Sequence, residues 1–93
     1  MLTTTQTLLL VHAIFIAEGG TNTHHAYGII PHYAHTTPRQ ACINTVQHFA
    51  ITHPNLAFNK AFVEQLADIY CPMASDKEGN INWKHNIERI CKL

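Results

Sequence analysis

Charge is scarce in this sequence, and what there is cancels. Only 13% of the 93 residues are charged, six basic against six acidic. A chain that grips phosphates through side chains needs a surplus of Lys and Arg, so the balance argues against nucleic acid as a partner. Long apolar runs are missing as well. The most apolar stretch, 8–17, is interrupted by His12 and has about half the length that a membrane-spanning helix needs, so no stable membrane insertion is expected. No Lys or Arg precedes that stretch, and Glu18-Gly19-Gly20 follows it at once. It therefore reads as part of the fold and not as the core of a signal peptide. The cysteines, Cys42, Cys71 and Cys91, show no C-x-x-C spacing, which removes the zinc-ribbon and thioredoxin-like motifs. One disulfide with a free thiol, or three buried thiols, both fit. There is no internal repeat, linker or low-complexity run.

What is present suffices for one core. At 46% apolar residues the chain is not disordered by composition, and its length makes residues 1–93 a single domain. Periodicity and capping signals predict an all-α fold of about four helices. The first covers 4–18, with Thr3 and Gln6 as a capping box and Gly19 as the stop. Its apolar residues run almost all the way round, which suits a central helix. The second covers 38–52, capped by Thr37, with Pro38 in the first position and Gln40 completing another box. The third covers 56–70 with Asn55 as cap, and Phe58, Phe62, Leu66 and Ile69 at helical spacing. The fourth covers 81–92, with Trp83, Ile87, Ile90 and Cys91 inward. Between the first two lies a long segment, 19–37, with room for a short β-hairpin at 26–33. A connection of that length in so small a domain is expected to serve binding or catalysis.

Glu18 is the best-marked functional position. It is the only acidic residue before Glu64 and it ends the most apolar helix. Apolar surroundings disfavour a carboxylate, and the negative end of a helix dipole repels it, so both raise the pKa. A carboxyl that keeps its proton near neutral pH is what a general acid requires. Gly19 and Gly20 let the backbone turn and leave room beside the carboxyl. The bland alternative is an exposed residue at an ordinary helix stop.

The neighbouring candidates are weaker. Tyr27 and Tyr33 offer rings and hydroxyls to a polar ligand such as a sugar, and Asn44 on the second helix faces the same side. His24, His25, His32 and His35 crowd the 19–37 segment. Adjacent histidines rarely ligate one metal together and the i, i+4 pattern is absent, so we expect no metal and no cofactor. Cys42 lies near a helix N-terminus, where a thiol pKa can fall, but it belongs to the apolar stripe with Val46 and Phe49 and is expected to be a core thiol or half of a disulfide. Trp83 is expected to be a core anchor.

The segments Ala13-Ile14-Phe15-Ile16-Ala17-Glu18-Gly19-Gly20, Tyr27-Gly28-Ile29-Ile30-Pro31 and Thr37-Pro38 together resemble the lysozyme-like lytic transglycosylases, small phage-type members above all. The resemblance spans about residues 8–50. Gly19 stands where that pattern usually has Ser, and no Gln follows Gly28-Ile29-Ile30. The resemblance implies a small lysozyme-like domain that cleaves peptidoglycan glycan strands with Glu18 as the single acid/base. It makes Tyr27, Tyr33 and Asn44 substrate-binding candidates and places the protein in the periplasm or cell envelope. Ordinary glycosidases use two carboxyls, and no second acid lies near Glu18 in sequence. The rival expectation is a non-catalytic helical module whose 19–37 segment binds a protein partner or a glycan.

Overall fold

The structure, a computed structural model, describes residues 2–20 and 36–93. Among these residues there are four helices and no strand: α1 (Thr4–Ala17), α2 (Pro38–Thr52), α3 (Lys60–Tyr70) and α4 (Lys77–Cys91). The expected hairpin at 26–33 lies outside the described residues. The helix α1 packs on both α2 and α4, and α3 packs on α4. Leu10, Ile14, Val46, Phe62, Leu66 and Ile87 are fully buried where these helices meet. None of the helices is long and apolar enough to cross a membrane.

Local chemistry explains where each helix begins. Thr3 and Gln6 form the expected reciprocal box, with both bonds at 3.0 Å. At α2 the box is half made. Thr37 Oγ1 accepts from the Gln40 amide at 3.1 Å, but the Gln40 side chain turns to Asn44 Oδ1 at 2.9 Å. The two later helices start elsewhere than the pattern predicts. In α3 the cap is Asn59, whose Oδ1 accepts from the Ala61 and Phe62 amides at 3.0 and 3.4 Å. Phe58 sits one helical repeat before Phe62 and so imitates a continued helix. It instead meets Phe62 edge-on at 6.2 Å from the preceding loop. In α4 Asp76 caps through Oδ1 and the Gly79 amide, 2.9 Å, so the helix begins before its first apolar residue. That polar first turn carries no apolar period to reveal it. A side chain at position 79 would run into the Asp76 carboxylate and come within 2.8 Å of Cys71 Sγ.

The all-round apolarity of α1 is only partly used. Thr7, Leu10, Val11, Ala13 and Ile14 are buried, while Leu8 and Ile16 remain 41% and 45% exposed.

The caps can be checked directly. Replacing Asn59 with Ala should cost about 1 kcal/mol, as loss of an N-cap does. Asn55→Ala should stay within about 0.5 kcal/mol, the range of an ordinary surface change. Urea denaturation of the two variants distinguishes the starts: equal losses would place the beginning of α3 wrongly.

Candidate functional site

The carboxyl of Glu18 is positioned by the end of α1. Its amide donates to Ile14 O at 2.9 Å and the Gly19 amide to Ile16 O at 3.1 Å. Gly19 and Gly20 then take φ of 101° and 57°, a region that favours glycine. These two residues turn the chain away immediately after Glu18, and the side chain is left half-buried against the helices.

What it meets there comes from the far end of the chain. Trp83 Nε1–H donates to Glu18 Oε1 at 3.0 Å across 65 residues. The indole is only 5% exposed and lies stacked on Tyr70, with ring centroids 5.2 Å apart and planes 16° from parallel. The Tyr70 hydroxyl in turn meets the buried thiol of Cys42 at 3.5 Å. One step back along α4, Asn80 is 1% exposed. Its Nδ2 donates to Cys71 O at 2.8 Å and to Asp68 Oδ1 at 3.4 Å, while its Oδ1 is buried without a partner. Asn80 and Trp83 are three residues apart and share a helix face. The Asn80 bonds to the end of α3 therefore help hold Trp83 beside Tyr70.

The electrostatics follow from burial. Desolvation pushes the Glu18 carboxyl above its usual range, and the indole donor pulls partly the other way. Burial, not a neighbouring carboxylate, is what raises it. The Cys42 thiol is pushed up by burial, with the Glu18 charge adding to the rise. It is therefore a protonated core thiol at neutral pH and not an activated nucleophile. All three cysteines are free. The Tyr70 phenol is likewise driven upward, first by burial and then by Cys42.

Of the expected catalytic and substrate-binding residues that are described, Glu18 falls in this cluster and Asn44 does not, while Cys42 and Trp83, expected as core residues, join it. Asn44 is exposed and lines a groove of about 740 Å³ between α2 and α3, together with His48, Phe49, Gln65, Asp68 and Ile69; Glu18 does not line that groove. Tyr27, Tyr33 and the histidines His24, His25, His32 and His35 lie outside the described residues. Among the described residues no group of His, Cys, Asp and Glu could hold a metal ion. Neither Asp76 nor Glu78 joins Glu18 as a second carboxyl. Asp76 caps α4 and accepts from the Cys71 thiol at 3.8 Å, and Glu78 is exposed in the first turn of the same helix.

Sequence reasoning placed Trp83 in the core but missed its bond to Glu18, and it assigned no role to Tyr70 or Asn80. One signal was available. A buried indole N–H must find an acceptor, and Glu18 is the only acidic residue in the first half of the chain. Comparison with family models, curated proteins and solved structures finds no match to this chain.

The raised carboxyl has a consequence for stability. Well below the ordinary Glu range, about pH 4.3, folded and unfolded chains both hold this proton and nothing is lost. As pH climbs through that range toward the raised folded value, the unfolded chain ionises first and the folded state loses stability. Glu18→Gln removes the loss and keeps an oxygen for the indole. Its Tm should exceed that of the wild type at pH 7, and the gap should shrink at about pH 4. A gap of equal size at both pH values would contradict the assignment.

Proposed function

We propose that this chain is a minimal lysozyme-like domain that cleaves the glycan strands of peptidoglycan, with Glu18 as the one acid/base. The observation that carries the reading is the half-buried Glu18 carboxyl, raised by desolvation and bonded to Trp83 Nε1–H. Such a group keeps its proton further toward neutral pH than an exposed glutamate does, as a general acid must.

One carboxyl is enough if the substrate supplies the nucleophile. Protonated Glu18 donates to the glycosidic oxygen as the C1–O bond breaks. The carboxylate so formed then takes the proton of the 6-hydroxyl of the same sugar as its oxygen bonds to C1. Glu18 ends protonated again, and the new end is a 1,6-anhydro sugar. The commitment of Asp76 to capping α4 supports this route over a two-carboxyl hydrolysis. The protein would then act in the periplasm or cell envelope, where its substrate lies.

A second reading draws on a different surface. Leu2, Leu8, Ile43 and Ile51 line an apolar groove of about 250 Å³ between α1 and α2, which suits a non-catalytic binding module.

Purified peptidoglycan separates the two. Glu18→Gln should keep the fold and lose cleavage by about 10²–10⁴-fold, the usual worth of a general acid/base. Unchanged lysis by that variant would remove Glu18 from the chemistry. Mass spectrometry of the wild-type products should find ends one water lighter than hydrolysis leaves; reducing ends would mean a hydrolase with a second group still to be found. A wild-type chain that binds the glycan and releases nothing would favour the binding module.

A further inference from the structure

Trp83 does more at this site than fill space. An indole has a single polar atom, and that atom only donates. At 3.0 Å from Oε1 it requires that oxygen to present a lone pair. In a protonated carboxyl the carbonyl oxygen is the better acceptor, so the proton resides on the other oxygen. We propose that Trp83 is a positioning residue for Glu18: its Nε1–H holds Oε1 as the acceptor, which assigns the transferable proton to Oε2 and fixes the plane of the carboxyl. The inference rests on Glu18 being the acid of the proposed reaction.

The indole is itself held from three directions. Tyr70 stacks on its face at 5.2 Å, the Tyr70 hydroxyl is anchored at Cys42 on α2, and Asn80 ties the same face of α4 to the end of α3. A carboxyl at a helix end would otherwise rotate freely about its terminal torsion, which has no strong preference of its own. Holding the reacting atom in line converts that rotational freedom into rate. The bond persists through the reaction and strengthens when Glu18 becomes a carboxylate, because hydrogen bonds to ionised groups are the stronger ones.

Among the described residues, the other titratable groups that share the field of Glu18 are Cys42 from α2, Tyr70 from α3 and Cys71 just after α3, with Arg39 acting on Cys42. Both thiols and the phenol are pushed upward. They stay neutral through the acid and neutral range, so in this cluster Glu18 is the group that changes charge there.

The chain has one tryptophan, so a ¹H–¹⁵N spectrum of the full protein contains one indole resonance. In the wild type that resonance should shift with pH along a single transition lying above the ordinary Glu range, and in Glu18→Gln the transition should vanish. An indole that does not titrate, or that titrates equally in both chains, overturns the proposal whatever the activity. Trp83→Phe provides the second arm. It keeps a ring for Tyr70 but removes the donor to the carboxylate, so the Glu18 pKa should rise and the alkaline limb of the peptidoglycan-cleavage profile should move to higher pH. With the carboxyl free to turn, kcat should fall by about tenfold to a hundredfold while KM changes little. Loss of activity with an unmoved limb would mean a merely structural tryptophan and would overturn the proposal. If the phenylalanine variant does not fold, the wild-type titration still decides. A wild-type chain that cleaves no glycan overturns the catalytic reading alone, and the indole titration then separately supports or overturns the placement of the proton.

Discussion

The contact between Trp83 and Glu18 joins the C-terminal end of α1 to the face of α4, and the arrangement of the candidate site depends on it. Burying a ring of this size removes roughly 150–250 Å² from water, worth about 4–6 kcal/mol at the usual coefficient. The hydrogen bond itself contributes about 1.5–3 kcal/mol at most when its acceptor is ionised. Burial therefore supplies most of the stability, and the bond supplies direction. A greasy ring can slide within a core at little cost, but an indole N–H left without an acceptor costs about 1–3 kcal/mol. That penalty selects the one register in which α4 presents Nε1 to the carboxyl.

Around that contact the helices divide their tasks. The end of α1 carries Glu18 and then turns away at once through Gly19 and Gly20, whose positive φ values favour glycine. The helix α3 contributes the stacking ring of Tyr70, and α2 contributes the thiol that anchors its hydroxyl. The thiol of Cys42 and the phenol of Tyr70 are both driven further into their neutral forms by burial. The result, among the described residues, is a low-charge surround in which Glu18 is the one group of low intrinsic pKa. The scarcity of charge that marks the whole sequence is thus repeated around Glu18, and desolvation by burial is what makes its carboxyl hard to ionise.

The polar residues nearby serve the frame. Asp76 caps α4 five residues before its first apolar side chain, and Gly79 is required where Asp76 and Cys71 leave no room for a Cβ. Asn80 then ties α4 to the carbonyl of Cys71. These three positions set the height at which Trp83 meets Tyr70. A slip of α4 by even one residue in register would rotate the indole by about 100° about the helix axis, since the helix has 3.6 residues per turn.

Much of this was legible locally. The capping box at Thr3 and Gln6, the Pro38 start of α2 and the stop after Glu18 are short-range chemistry, and the sequence by itself determined them because each is decided within four residues. The all-α class followed from apolar spacing in the same way. Where two local signals competed, the pattern misled. Phe58 imitates a helical repeat that Asn59 interrupts, and the polar first turn of α4 has no apolar period at all. Glu18 stood out because it ends an apolar run, but its partner could not be read. Nothing in a sequence links residues 18 and 83, since hydrogen bonding across the core depends on how α1 and α4 pack and not on spacing along the chain. Only the tertiary structure decided that Trp83, one buried ring among several, is the one that faces the acid.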